Sequence, residues 1–205
     1  MINTGRNAKV ALGGCGDPPL RTTCAIIQKD DNNKGQQCVV LSRYRRELFL
    51  ITCRKMMAAD VSDAFEMLSA FLNEDEHYLA SSKAYGDRGF QGLNDALDLF
   101  LEQSELGFVW MAFDEDGAAG ICVICYAIST SMGAVVAKLD DVSVKADRRG
   151  KGIGTALLEH LKKQLRKESI TRIDVAVHVE NLEARRFYEA LGFVGLNEER
   201  LACVI

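Results

Sequence analysis

Two short stretches of this 205-residue chain carry residue types suited to chemistry. Residues 148–155 read RRGKGIGT, three glycines and three basic residues at the front of what reads as an amphipathic helix. Small residues let backbone N–H groups converge on a ligand, and the first helical turn adds unpaired amides and the positive end of the helix dipole. The expected guest is an anion, with phosphate the obvious one. Just upstream, Asp140 and Asp141 are carboxylates able to accept a proton. Downstream, Tyr188 is a phenol whose ordinary pKa of about 10 keeps it protonated at neutral pH.

Three phosphate-binding patterns compete for the glycine loop. The nucleotide-triphosphate loop requires G-x-x-x-x-G-K-[ST], and no Gly-Lys-Ser/Thr occurs. The dinucleotide fingerprint G-x-G-x-x-G would start at Gly150 and Gly152 but place its third glycine on Thr155, after a strand holding Asp140 and Asp141 instead of an apolar run. The third pattern, [QR]-x-x-G-x-[GA] between a strand and a helix, is matched in full by Arg149, Gly152 and Gly154. Small residues at a helix start also serve close packing, so a second match carries the decision. NLEARRFYEALGF, residues 181–193, reads N-x-x-A-x-x-x-Y-x-x-x-G-F. With these two motifs in order, the sequence resembles the GNAT superfamily of acetyl-CoA-dependent N-acetyltransferases from about Leu48 to Ile205.

The resemblance implies a site. In that family the loop grips the pyrophosphate of coenzyme A through main-chain amides, which assigns Arg149, Gly150, Lys151, Gly152, Ile153, Gly154 and Thr155 to the cofactor. Lys145, Arg148 and Lys151 could add charge around the phosphates. The strand Val142-Ser143-Val144 is implied to lie along the pantetheine arm, with the Val142 N–H as the donor to the thioester carbonyl; such a pre-aimed donor is often worth about 3 kcal/mol. Asn181 is both helix cap and cofactor contact. Tyr188 occupies the general-acid position, the alternative being an aromatic on the buried stripe beside Phe187. The base is implied to lie between Lys138 and Asp141. On a regular strand Asp140 and Asp141 point to opposite faces, so only one faces the cleft unless a bulge intervenes. Relatives acting on aminoglycosides resemble DDVSV in placing an aspartate directly before two apolar cofactor-lining positions, which puts Asp141 ahead of Asp140. His178 is an outside candidate.

These residues need elements to hold them. The spacing predicts a strand at LFLITCRKM, then a helix with Asp60 as N-cap and Val61, Ala64, Phe65, Leu68 and Leu72 on one face. A second helix has Leu93, Ala96, Leu97, Phe100 and Leu101 in line. Two β-rich runs divided by Asp116-Gly117 predict a hairpin. AVVAKLDDVSV is a strand, and a helix from Gly152 to about Lys167 buries Ile153, Ala156, Leu157, Leu161 and Leu165. A strand alternates at Ile173, Val175, Val177 and Val179, and a short helix runs from Asn181 to a stop at Gly192. FVGLNEERLACVI is expected to end the chain as strand or hairpin. The fold class is α/β (α+β): one GNAT-like domain over 47–205, with a mixed, mostly antiparallel sheet flanked by helices and splayed at the cofactor cleft. Residues 1–46 are expected to form an irregular extension, in which CVVLSRYRRE can add a strand.

Charge is segregated. From Asp60 to Gly117 there are fourteen acidic residues against Lys83 and Arg88, whereas from Lys138 to Arg186 twelve basic residues face eight acidic ones. Such asymmetry concerns partners rather than fold. With the acceptor site of the resembled fold bordered by the first two helices, the acidic half points to a small cationic amine, of aminoglycoside or polyamine type, as acceptor. Acetylation of a protein lysine or N-terminus, and a non-catalytic acyl-CoA-binding module, are the alternatives. Cys122 and Cys125 spell C-x-x-C, but residues three apart on a strand face opposite ways, so core filling is expected. EDEHY, residues 74–78, reads as an acidic loop, and no metal is expected. Seven irregularly spaced cysteines, no secretory signal and no run of roughly 20 apolar residues point to a cytoplasmic protein without a membrane span. The basic residues lack interleaved aromatics, so nucleic acid is not an expected partner. Homodimers are common in the resembled family.

Overall fold

The computed structural model describes residues 38–44, 47–74 and 88–196. Six strands form one sheet in sequence order: β1 (Cys38–Tyr44), β2 (Glu47–Lys55), β3 (Gly107–Asp114), β4 (Gly117–Ser129), β5 (Ala134–Val144) and β6 (Ile173–Val175). All neighbours are antiparallel except β5 and β6, which are parallel. The mixed, mostly antiparallel sheet is the one implied by the resemblance. Helices α1 (Val61–Glu74) and α2 (Gly89–Glu102) cover one face, and α3 (Ile153–Lys167) and α4 (Leu182–Ala190) cover the other.

Each helix is placed by its apolar stripe. On α3, Leu157, Leu158, Leu161 and Leu165 are at most 1% exposed, each worth about 2 kcal/mol relative to exposure. They lie against Ile51, Phe108, Trp110, Ile124 and Leu139, and the Trp110 indole N–H donates to the Leu157 carbonyl at 3.2 Å. On α1, Ala64, Met67 and Leu68 are buried; on α2, Leu93 and Leu97 are. Leu101, expected on the α2 stripe, faces solvent instead.

Several local expectations are corrected. Cys38–Tyr44 is a strand paired with β2 from Cys38↔Cys53 to Tyr44↔Glu47, so the expected boundary at residue 46 falls between two paired strands. The hairpin turn sits one residue earlier than Asp116-Gly117, because Asp114 pairs with Gly117 and leaves Glu115-Asp116 as the loop. Asp60 ends a short 3-10 turn, and its carboxylate reaches back to the Met57 N–H (2.8 Å) and the Arg54 guanidinium instead of capping α1. Strand pairing of β6 stops at Val175, and Val179 is 82% exposed despite its place in the alternation. The irregular extension up to residue 37, the EDEHY loop beyond Glu74 and the C-terminal strand or hairpin beyond Leu196 lie outside the described residues.

His160 lies on the inner side of α3, 2% exposed, with neither ring nitrogen hydrogen-bonded. Burial first, and the nearby Lys163 second, push its pKa down to about 4. A histidine depressed in the fold contributes its full stability above its unfolded pKa of about 6.5 and loses it as pH falls toward 4. Denaturant unfolding should therefore show about 2 kcal/mol less stability at pH 5 than at pH 7.5, and His160→Leu should flatten that dependence.

Candidate active site

The site forms where β5 and β6 part. Their parallel pairing covers Ala137↔Ile173, Lys138↔Asp174 and Leu139↔Val175 and then stops, while β5 continues through Asp140–Val144 paired only with β4. Among the described residues no strand covers that side of β5 beyond Leu139.

Within this stretch β5 carries a bulge. The register steps from Val123↔Asp140 to Cys122↔Val142, passing over Asp141, whose φ is +24°. An extra residue resets the two-residue alternation. Ala137 and Leu139 face α3, and after the bulge Val142 and Val144 face the same way. Asp140 stays on the opposite, α1/α2 side, in an ion pair with Lys138 at 3.2 Å.

At one end of the cleft lies the anion loop. Gly150 and Gly152 have φ of +74° and +81°, left-handed values that L side chains resist, and Gly152 is the N-cap of α3. The first helical bond of α3 runs from the Ala156 N–H to the Gly152 carbonyl at 2.9 Å. The amides of Ile153, Gly154 and Thr155 precede it and point out of the helix start. Gly154 is different: a Cβ there would meet the Phe187 ring at 3.4 Å and Val144 at 3.6 Å, ordinary contact distances that admit alanine and nothing larger. Arg149 is exposed, its Nε donating to the Val144 carbonyl at 3.1 Å.

Tyr188 closes the other side. Asn181 caps α4, its side-chain oxygen accepting from the Ala184 N–H at 3.0 Å. Gly192, φ +85°, ends the helix: the Phe193 N–H returns to the Tyr188 carbonyl (3.1 Å) and the Gly192 N–H to Glu189 (3.0 Å). This stop lays the Phe193 ring on Tyr188, 5.4 Å between centroids, with Phe187 at 5.2 Å. Tyr188 is 9% exposed. Burial, then the neighbouring Cys122 and Asp141, hold its phenol above the ordinary range, so it stays protonated through neutral and mildly alkaline pH.

A family model described as "Acetyltransferase (GNAT) family" matches residues 66–193. The chain belongs to the GNAT acetyltransferase family. An uncharacterized N-acetyltransferase of Methanocaldococcus jannaschii is 28% identical over 143 residues, covering 69% of this chain and 60% of that protein, so the chain spans well under two thirds of that relative's length. A possible acetyltransferase from Clostridium difficile 630 superposes with a TM-score of 0.64 at 19% identity, over 76% of this chain and 97% of that one. A predicted acetyltransferase from Clostridium acetobutylicum, solved with acetyl-CoA, gives 0.56 at 18% identity over 73% and 94%. At such identities the two structures speak for the fold alone.

In this GNAT chain the start of α3 at Gly154 lies against Val144 and the Phe187 ring, with Tyr188 beside Phe187; Asn181 caps α4, and Asp140 pairs with Lys138. His178, the outside candidate, is exposed and its Nδ1 accepts from the Glu180 N–H at 3.3 Å, a turn contact before α4. Arg148, expected to add charge at the phosphates, is ion-paired with Asp114 and Asp116 of the β3–β4 turn. That contact spans 34 residues of sequence, and only the acidic DED of the turn and the paired arginines of the loop hinted at it. Cys122 faces the α3 side and Cys125 the other, and burial pushes both thiols up, which suits core filling. An open hollow of about 700 Å³ lies at the far end of β5, lined by Glu105, Tyr126, Ile128, Val135, Glu168 and Ile170. Glu168 is already engaged by the Tyr126 hydroxyl (2.7 Å), Gln164 (2.7 Å) and Lys55 (2.9 Å), so it offers no free chemistry.

The two glycines of the loop should respond differently to the same substitution. Gly152→Ala should cost about 1 kcal/mol from its left-handed backbone, whereas Gly154→Ala should be neutral or stabilising because it fills ordinary contact space in a helix. Denaturant unfolding of both variants measures the contrast.

Proposed function

We propose that this protein is an acetyl-CoA-dependent N-acetyltransferase whose acceptor is the primary amine of a small polycation. The observation that carries the reading is the meeting of α3, β5 and α4: Gly154 at the start of α3 lies against Val144 and the Phe187 ring, beside Tyr188, where β5 has run past its pairing with β6. The left-handed glycines and three outward amides suit a diphosphate, so Gly150–Thr155, with Arg149 and Lys151, would hold that part of coenzyme A. Val142 and Val144 would lie along its arm, and Asn181 would add a contact. Acetyl-CoA supplies an activated acyl group. Tyr188, protonated by virtue of its burial, holds the proton that the departing sulfur needs. Asp141, at the bulge, takes the proton that an incoming ammonium must lose before it can attack.

The acceptor class follows from charge. Helices α1 and α2 carry Asp63, Glu66, Asp95, Asp98 and Glu102 without a lysine or arginine. Part of the acidic excess is internal, since Asp60 pairs with Arg54, Asp95 with Arg88, and Asp114 and Asp116 with Arg148. The remainder would draw a polycation through a field that salt weakens.

Thiol release from acetyl-CoA against a panel of amines tests both parts. Tyr188→Phe should lower kcat about 100-fold and leave acetyl-CoA affinity within about twofold; an unchanged rate removes the phenol from the mechanism. In the wild type, an alkaline decline in kcat due to Tyr188 should lie above pH 10. For polyamines, kcat/KM should fall steeply as ionic strength rises from 0.05 to about 0.5 M, while neutral amines should change little. Equal salt dependence for both would remove the polycation reading.

A further inference from the structure

Arg148 is spent on neither the glycine amides nor the proton transfers, yet it joins the anion loop to the β3–β4 turn. Its Nη1 lies 2.7 Å from Asp116 Oδ2 and 3.1 Å from Asp114 Oδ2, and its Nε lies 3.1 Å from Asp147 Oδ2. The Asp114 side chain is 7% exposed, and its other oxygen accepts from the Asp116 N–H at 3.0 Å, so the turn is built around the same carboxylate. A backbone bond from the Lys145 N–H to the Ala119 carbonyl (3.0 Å) anchors the start of the loop to β4 beside this cluster.

One guanidinium among three carboxylates leaves a net negative cluster one residue from Arg149. We propose that Arg148 is a positioning residue: it straps the loop to the β3–β4 turn and so holds the loop in the form that takes the coenzyme's diphosphate, without touching the phosphates itself. The inference rests on the acetyl-CoA reading above and deepens it.

The proposal differs in sign from a direct phosphate contact. Calorimetric titration with CoA, and steady-state kinetics with acetyl-CoA, are to be run on the wild type, Asp114→Asn, Arg148→Met and the double variant. Asp114→Asn keeps the size and the acceptor for the Asp116 N–H but removes the charge that holds Arg148. It should weaken CoA about fivefold and raise the KM for acetyl-CoA by the same factor, with kcat at saturation nearly unchanged. The penalty of Arg148→Met should shrink in the Asp114→Asn background, because both act through one contact. Equal or tighter CoA binding by Asp114→Asn, together with a full Arg148→Met loss in both backgrounds, would mean that Arg148 grips phosphate and would overturn the proposal. Asp116→Asn, at the exposed carboxylate, repeats the test should Asp114→Asn not fold. If the wild type takes up no CoA, the acetyltransferase reading falls, and the strap is judged by thermal unfolding of the same four proteins. Non-additive shifts in Tm support it, and additive shifts overturn it.

Discussion

The cleft exists because β5 keeps hydrogen-bonded company on one side only. Parallel pairing with β6 covers three residue pairs, after which β5 runs on for Asp140–Val144 against β4 alone. Uncovered backbone groups are costly to bury, at about 1–3 kcal/mol each, so a sheet normally closes such a gap. Here the bulge at Asp141 and the helix start at Gly152 hold the gap open beside α4. The bulge has a second effect. By inserting one residue it turns Val142 and Val144 back to the α3 side, where Val144 packs near Gly154 and Phe187. Strand, loop and helix meet at that point, and a regular strand would have put Ser143 there.

The second motif can be read letter by letter in physical terms. A nine-residue helix is marginal alone, so both ends of α4 must be secured. Asn181 satisfies the Ala184 amide; Gly192 takes the left-handed turn; Phe193, carried back by that turn, lies on Tyr188. Spacing between the asparagine, the tyrosine and the Gly-Phe pair is therefore the length of one capped helix. The phenol ends up buried, protonated and fixed between two aromatic rings. The burial that locks the ring also raises its pKa.

Charge within the loop is divided between holding and binding. Arg148 turns inward to the β3–β4 turn, while Arg149 stays exposed and leans on the Val144 carbonyl. The positive character facing the cleft then comes largely from oriented amides, which cost no side-chain entropy when an anion arrives. The acidic α1/α2 side and the amide-lined α3 side lie on opposite faces of one sheet.

Much of this was legible in the residues. The buried stripes of α1 and α3, the caps at Asn181 and Gly192, and the anion loop all arise from interactions within about four residues, so sequence order contains them. Leu101 and Val179 were misread because periodicity continues past the point where packing or pairing stops. Asp60 was misread because Arg54 and the Met57 amide compete for its carboxylate. By itself, then, the sequence determined the helices, their ends, the left-handed glycines and the family's two motifs, all local matters of backbone and spacing. Only the tertiary structure decided that β5 parts from β6 after Leu139, that a bulge falls at Asp141 while Asp140 pairs with Lys138, and that Arg148 pairs with Asp114. Those outcomes depend on hydrogen-bond register and charge contacts between segments far apart in the chain, which no local pattern encodes.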